Sequence, residues 1–207
     1  MQKIKVIGVG PGGSRYLTPA AREAIGRAAV LIGGRRHLDS FAAPGQERLD
    51  LTVNFPEMLE LIQSRRGDGV AVLASGDPGL YGILKFLLKH FKPGELEVLP
   101  GVSSVQLAFA SISMPWDDAV VLSAHGRPAG KLAELAGPLA KVAVLCGSDN
   151  PPEVIFELVC RGGARKRAYL CFDLSLPGEA VLEVGPGEDF PEEYKGRHNC
   201  VMVMVNE

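Results

Sequence analysis

The chain has 207 residues, of which 46% are hydrophobic, and its formal net charge is −2. This length and composition predict either one large α/β domain or two small lobes. The small net charge gives no overall attraction to nucleic acid or to an anionic membrane, so we expect a small-molecule ligand. No apolar run reaches the roughly 18 residues of a membrane span. The N-terminus shows no signal-peptide pattern, and we expect a cytoplasmic protein.

The first half of the chain alternates short β-branched runs with helical patterns. Taken in chain order, the predicted strands and helices are 4–8, 19–29, 30–32, 57–64, 70–74, 80–91, 96–99 and 103–112. Such alternation predicts a mainly parallel sheet covered by helices. Ligands of such sheets bind at the carboxyl ends of the strands.

The segment Ser113-Met114-Pro115-Trp116 interrupts this pattern. We therefore predict an N-terminal lobe of residues 1–113 and a C-terminal lobe of residues 117–207. In the second lobe the predicted strands and helices are 119–123, 131–139, 142–145, 152–160, 168–172, 181–184 and 201–205. The last three are strands joined by turns, which indicates antiparallel pairing and hence a mixed sheet.

Four cysteines are present, and none of them is spaced as C-x-x-C: Cys146, Cys160, Cys171 and Cys200. Neither a zinc site nor a redox pair is indicated by these spacings. We predict four reduced thiols and no metal site.

Residues 8–13 follow the first predicted strand and read G-x-G-x-x-G. One interpretation is a backbone cradle for a dinucleotide pyrophosphate. Against it, the next helix starts near Thr18-Pro19, and the second strand ends in Gly33-Gly34-Arg35-Arg36 with no acidic residue to hold a ribose. An NADP site using the two arginines is the remaining nucleotide interpretation. The alternative is a tight loop that needs glycine only for its backbone angles.

Two further strand-end loops carry polar residues. Ser75-Gly76-Asp77-Pro78 follows the strand at 70–74, and Asp77 could either cap the next helix or face a ligand. Pro100-Gly101-Val102-Ser103-Ser104 follows the strand at 96–99, with the same two roles open to its serines. Three such loops at the ends of strands predict a shared pocket.

Taken together, the three loops, with Leu17-Thr18 and Tyr81-Gly82 beside them, resemble the ordered signature of the tetrapyrrole (corrin/porphyrin) methylase family. Within that family, segments 33–38, 114–118 and 123–127 resemble the CbiE type, the carbon-5 methyltransferases of cobalamin biosynthesis. The resemblance spans nearly the whole chain. It implies a two-lobed α/β fold, with S-adenosylmethionine (SAM) folded in a cleft between the lobes and S-adenosylhomocysteine as the product.

The resemblance also implies site residues. It implies that the first glycine loop is not a nucleotide cradle, and it places these residues at the donor: Pro11, Gly76, Asp77, Leu80, Ser103, Ser104, Leu145 and Cys146. The implied acceptor is carbon 5 of a corrin intermediate, cobalt-precorrin-7 or precorrin-6Y. Its carboxylates suit arginine, and the predicted substrate-binding residues are Arg35, Arg36, His37, His125 and Arg127.

His125 is also the predicted catalytic residue, because an imidazole can move a proton as the macrocycle changes charge. The alternative is a structural or substrate-orienting role. The resemblance further implies a homodimer and a separate protein that methylates carbon 15 and decarboxylates.

Three other functions stay open at this point. Diphthine synthases and ribosomal-RNA methyltransferases share the donor loops but act on macromolecules. An NADP-dependent reductase would use residues 8–13 with Arg35 and Arg36. A non-catalytic tetrapyrrole-binding module is the third.

Overall fold

A computed structural model describes residues 2–51, 55–161 and 165–207. By their internal contacts the residues form two units, 1–103 and 104–207, and each unit is built on one five-stranded sheet. Within the described ranges, no helix combines the length and the apolar character that a membrane crossing needs.

The first unit is a parallel sheet with helices on both faces. Its bounds are β1 Ile4–Gly8, α1 Pro19–Gly26, β2 Val30–Gly33, α2 Arg35–Phe41, β3 Glu47–Asp50, α3 Phe55–Ser64, β4 Val70–Ala74, α4 Leu84–Leu87 and β5 Leu96–Leu99. The strand order is β3-β2-β4-β1-β5, and every neighbouring pair is parallel. The predicted parallel sheet is therefore confirmed.

Alternate residues of the strands face opposite sides of this sheet. Val6, Ile32 and Val72 pack on one side with Met58 of α3 and Leu87 of α4. On the other side, a second cluster joins the sheet to α1 and α2; it includes Ile7, Leu31, Leu73, Ala21, Ile25 and Leu38. Because both faces are covered, the loops at the strand ends are the parts of the sheet open to ligands.

The second unit is a mixed sheet. Its bounds are α5 Ser104–Ser111, β6 Val120–Ser123, α6 Ala129–Ala136, β7 Lys141–Leu145, α7 Pro152–Cys160, β8 Lys166–Phe172, β9 Ala180–Val184 and β10 Cys200–Asn206. In the order β6-β7-β10-β8-β9, only β6 and β7 pair in parallel, and the other neighbours are antiparallel. The predicted mixed sheet is confirmed.

The helix α5 belongs to a different unit from the one predicted. The first unit ends at Ser103 rather than at Ser113, so α5 belongs to the second unit. The physical reason is that α5 contacts β10 at the centre of the second sheet. The segment at 113–116 ends that helix but does not divide the units.

Three elements of the first unit differ from the prediction. α2 and β3 were not predicted; β3 is a polar edge strand, and its sequence Glu-Arg-Leu-Asp shows no apolar run. The helix predicted at 80–91 shrinks to the single turn of α4. Tyr81 has a φ of 52°, which no α-helix contains, so the regular helix cannot begin before it.

Candidate functional site

Three loops at the carboxyl edge of the first sheet meet through their backbones. They are the β1 loop (8–13), the β4 loop (75–83) and the β5 loop (100–103), and they touch at Gly8, Gly76 and Gly101, here called the glycine node. A Cβ atom added to Gly101 would lie 2.2 Å from the carbonyl oxygen of Gly76. One added to Gly8 would lie 2.5 Å from the Gly101 nitrogen. Glycine is required at these two positions because only a residue without a side chain allows so close an approach.

The first two amides after Gly8 in the β1 loop donate to the end of β4 and to the β4 loop. The Val9 N–H donates to the Ala74 carbonyl at 2.9 Å, and the Gly10 N–H donates to the Gly76 carbonyl at 3.3 Å. The Gly76 N–H donates back to the Gly10 carbonyl at 2.8 Å. A pyrophosphate cradle needs such amides turned toward the ligand, with a helix starting at the last glycine. Because α1 starts only at Pro19, the loop does not have the geometry of a dinucleotide site.

Asp77 ties two of these loops together. Its Oδ1 accepts a hydrogen bond from the Gly79 N–H at 2.8 Å, and its Oδ2 accepts one from the Gly101 N–H at 3.1 Å. The helix that Asp77 could have capped begins at Leu84, after Ile83, and has no side-chain cap. The capping interpretation is therefore wrong, and the carboxylate instead holds the β4 loop against the β5 loop.

Past Asp77 the β4 loop is tightly folded. Tyr81 adopts a left-handed conformation, which costs a residue other than glycine about 1–3 kcal/mol. A Cβ atom on Gly82 would lie 2.6 Å from the carbonyl oxygen of Pro78. Such a conformation persists only where its surroundings determine it, and residues of this kind cluster at functional sites. The positive φ of Tyr81 could not be read from the sequence.

The predicted donor residues fall into two groups. Those of the first unit lie in or just after the strand-end loops: Pro11 and Gly76 are buried, Asp77 and Leu80 are half-buried, and Ser103 is buried. Ser104 begins α5 in the second unit, where Leu145 ends β7 and Cys146 follows it, buried. Nothing in the fold contradicts these assignments, which stay predictions.

Two of the three predicted arginines, Arg35 and Arg36, begin α2, directly after β2, at the same edge of the first sheet as the glycine node. Arg35 pairs with Asp50 at the end of β3, with 3.2 Å between Nε and Oδ2. Its side chain is nevertheless 82% exposed, and Arg36 is exposed as well. A pair so open to solvent is weak, so a carboxylate ligand could draw Arg35 away at little cost.

His37 differs from its neighbours in α2 because it is buried. Among the residues that the structure describes, its Nε2 atom has no hydrogen-bond partner. Burial, and then the charge of Arg36, lower the pKa of His37 from its ordinary value of 6.5. The imidazole is therefore neutral at neutral pH, whereas direct pairing with a carboxylate would favour the charged form.

This burial predicts a pH dependence of stability. Because the pKa of His37 is lower in the folded chain, the unfolded chain binds more protons between the two values. The contribution of the neutral His37 to the free energy of unfolding is therefore full above the ordinary pKa of 6.5. It is lost as the pH falls through the folded-state pKa. His37→Leu cannot titrate, so it is expected to lose less unfolding free energy than the parent between about pH 8 and about pH 5.5. Urea unfolding at both pH values measures this, and equal losses in parent and variant would contradict it.

The second unit presents its own strand-end loops. β6 and β7 are parallel, so their carboxyl ends share one edge of the sheet. His125 and Arg127 follow β6 and are exposed, and Leu145 and Cys146 stand at the end of β7. The structure thus brings four of the predicted residues of this unit to one edge, whereas Ser104 stands apart at the start of α5. Asn150, which sequence reasoning missed, is buried beside them and binds the backbone of the His125 loop.

Three of the four cysteines have thiols with raised pKa values. All four are free, as predicted. Burial raises the pKa of Cys171 to about 12 and that of Cys160 to about 11. Burial, and then the thiol of Cys146, also raise the pKa of Cys200. Such thiols are protonated at neutral pH and unreactive. Within the described parts of the chain, no group of three or more His, Cys, Asp or Glu residues could hold a metal ion.

Two features define the class to which the chain belongs: one unit has a parallel sheet whose strand-end loops meet at the glycine node, and the other has a mixed sheet with its own strand-end loops. A family model described as tetrapyrrole (corrin/porphyrin) methylases matches residues 3–190, and the chain belongs to this family. It is therefore a methyltransferase.

Named relatives are similar over most of the chain. The cobalt-precorrin-7 C(5)-methyltransferase of Salmonella typhimurium is 37% identical over 86% of this chain and 88% of its own length. A probable cobalt-precorrin-7 C(5)-methyltransferase of Methanocaldococcus jannaschii is 34% identical over 60% of this chain and 61% of its own. The decarboxylating precorrin-6Y C(5,15)-methyltransferase of a Sinorhizobium species is 33% identical over 86% of this chain but only 44% of its own.

Solved structures share the fold. The precorrin-6Y methylase of Archaeoglobus fulgidus aligns with a TM-score of 0.74 at 24% identity, covering 99% of this chain and 98% of that one. A uroporphyrin-III C-methyltransferase of Thermus thermophilus, solved in complex with S-adenosylhomocysteine, aligns with a TM-score of 0.67 at 23% identity and covers 98% and 92%. The predicted two-sheet methylase fold is thereby confirmed.

Proposed function

We propose that this chain is a SAM-dependent C-methyltransferase that methylates carbon 5 of a corrin intermediate, cobalt-precorrin-7 or precorrin-6Y, in cobalamin biosynthesis. The observation that carries the proposal is the 37% identity to the Salmonella carbon-5 enzyme, which extends over 86% of the chain. Its support from the geometry is the set of fastened loops at the carboxyl edge of the first sheet, where ligands of parallel sheets bind.

The donor is assigned to these loops. The glycine node removes side chains from the edge of the sheet, which leaves backbone atoms and flanking residues such as Pro11 and Leu80 to contact SAM. Ser103, Ser104, Leu145 and Cys146 complete the proposed donor contacts. SAM supplies an activated methyl group, because its sulfonium leaves as a neutral thioether. The protein has chiefly to align acceptor carbon, methyl and sulfur, and positioning of this kind can contribute up to roughly 7–11 kcal/mol.

The acceptor needs charged partners rather than a side-chain nucleophile. The attacking atom is a ring carbon made nucleophilic by its enamine-like conjugation, so the reaction requires no nucleophilic side chain. The carboxylates of the macrocycle suit the exposed Arg35, Arg36 and Arg127, since guanidinium binds carboxylate through two hydrogen bonds. We propose that His125 contacts the substrate beside Arg127. His37, a buried residue of α2, stays a proposed substrate-binding residue.

Arg127→Ala is expected to separate acceptor binding from donor binding. Loss of one charged hydrogen-bonded contact costs about 1.5–3 kcal/mol, so kcat/KM for the corrin should fall roughly 10- to 100-fold. The affinity for SAM, measured by titration calorimetry, should stay that of the parent. Arg22→Ala, which removes an exposed arginine from α1, is the matched control. Equal loss of SAM affinity and of corrin turnover would count against this assignment.

A comparison of cofactors tests the donor assignment against a reductase. SAM and S-adenosylhomocysteine should raise the melting temperature of the protein, because a ligand that binds only the folded state stabilises it. NADPH should not, since the Val9 and Gly10 amides bind Ala74 and Gly76 and α1 begins only at Pro19. A shift with NADPH and none with SAM would favour the reductase.

Two assembly features belong to the same proposal. A separate protein is proposed for methylation and decarboxylation at carbon 15, because the Salmonella relative is named for carbon 5 alone and 88% of its length is covered. By contrast, the Sinorhizobium relative is named for both positions, and less than half of its length is covered.

We also propose that the protein forms a homodimer. Sedimentation equilibrium would test this, and a monomer at assay concentrations would contradict it.

A further inference from the structure

The turn that follows β7 is closed on itself. The Gly147 N–H donates to the Asn150 carbonyl and the Asn150 N–H donates to the Gly147 carbonyl, both at 3.2 Å. Asn150 is polar, yet its side chain is buried, with 6% of the residue exposed. A buried amide in a loop calls for a specific set of partners.

Those partners lie in the loop that carries the predicted substrate residues. The Asn150 side chain donates from Nδ2 to the carbonyl oxygen of Ala124 at 2.7 Å and to that of Arg127 at 2.8 Å. These two carbonyls bracket His125 and Gly126, and Gly126 has a left-handed φ of 64°. One side chain therefore determines the path of the loop on both sides of His125.

Gly147 contacts the same loop in another way. A Cβ atom added to it would lie 2.2 Å from Cε1 and 2.4 Å from Nδ1 of His125, so the imidazole rests against the glycine. Gly147 is not among the residues with positive φ. Space for the ring, rather than backbone conformation, accounts for a glycine here. His125 itself is exposed, which leaves the rest of the ring open to a ligand.

We propose that residues 147–150 form a positioning element for the corrin substrate. Asn150 fixes the backbone of residues 124–127 through its two hydrogen bonds. Gly147 packs against the His125 ring and thereby orients it. This inference rests on the proposed function, because it requires His125 and Arg127 to contact the acceptor. Asn150 and Gly147 act only through those residues and do not touch the reacting atoms.

The first test separates hydrogen bonding from packing at Asn150. Asn150→Asp keeps the shape of the side chain but cannot donate to two carbonyls, and Asn150→Ala removes the group. Both should raise KM for cobalt-precorrin-7 about tenfold, the effect of losing one or two hydrogen bonds. SAM affinity by calorimetry should remain that of the parent. The proposal is overturned if both variants keep the KM of the parent protein for the corrin. It is also overturned if the variants lose as much affinity for SAM as for the corrin.

The second test does not depend on how well the Asn150 variants fold. Gly147→Ala should raise KM for the corrin by displacing the His125 ring, whereas the same change in a His125→Ala background should have no further effect, because the ring is gone. If Gly147 has only a general structural role, Gly147→Ala should raise KM for the corrin equally in both backgrounds. That result would overturn the proposal.

The outcomes distinguish this inference from the proposed function. If His125→Ala and Arg127→Ala leave KM for the corrin unchanged, the substrate assignment itself has failed. If those variants raise KM while Gly147→Ala and both Asn150 variants do not, the substrate assignment stands and the positioning element is refuted.

Discussion

Replacing Gly101 by alanine is expected to separate the strand-end loops of the first unit and to abolish measurable SAM binding. The new Cβ atom would stand 2.2 Å from the Gly76 carbonyl oxygen and 2.8 Å from Gly8, and both obstacles are backbone. Because neither can rotate away, the loops must move, and the cost should equal or exceed the roughly 3 kcal/mol at the upper end of ordinary overpacking. That corresponds to a fall in melting temperature of about 6–12 °C.

Scanning calorimetry of Gly101→Ala, with and without SAM, measures both effects. The matched control is Gly26→Ala at the end of α1, where an added Cβ atom meets nothing within 4 Å. That variant should be stabilised by up to about 1 kcal/mol, because alanine is the better helix former. A Gly101→Ala protein that melts and binds SAM like the parent would show that the glycine node does not hold the donor loops.

Asp77→Ala is the second change with a large expected effect. It removes the acceptor of both the Gly79 and Gly101 N–H groups, so the β4 loop is released from the β5 loop. Hydrogen bonds to a charged group contribute about 1.5–3 kcal/mol each. Loss of one such contribution from the donor site corresponds to SAM affinity lowered roughly 10- to 100-fold, measured by titration calorimetry.

The conservative variant Asp77→Asn refines this prediction. Its amide keeps one oxygen acceptor and turns a donor toward the second N–H, so its SAM affinity should lie between those of the parent and Asp77→Ala. Glu60→Ala, which removes an exposed carboxylate from α3, controls for the change in net charge. If Asp77→Ala binds SAM as well as the parent does, Asp77 plays no part in the donor site.

The sequence predicted the framework of the first unit because local signals there are strong. β4 is an unbroken apolar run, and β1 is apolar apart from Lys5. The predicted helix start near Thr18-Pro19 is also observed, since the side chain of Thr18 caps α1 by accepting from the Ala21 N–H at 3.1 Å. β3 was missed because an exposed edge strand needs no apolar pattern, and α2 because a pair of glycines resembles a turn. Periodicity detects a buried apolar face; β3 has no buried residue, and the buried residues of α2 are one polar, His37, and one apolar, Leu38.

The roles of the site residues were harder to predict because they depend on contacts between distant parts of the chain. Asp77 looked like a helix cap from its neighbours alone, yet its second partner is the amide of Gly101. The glycines of the β1 loop suggested a nucleotide cradle, whereas the structure turns the loop toward Gly76. Nothing in the sequence around Asn150 predicts its role, because the carbonyls that it binds belong to another strand-end loop.

The most direct test of the proposed function is the product of the reaction. The purified protein is incubated with SAM carrying a ¹³C-labelled methyl group and, in separate reactions, with cobalt-precorrin-7, precorrin-6Y and other corrin intermediates. We expect cobalt-precorrin-7, precorrin-6Y or both to gain a single labelled methyl group, seen by mass spectrometry and placed on carbon 5 by NMR. A label at a different ring position, or transfer only to other intermediates, would contradict it, as would SAM binding without transfer to any corrin.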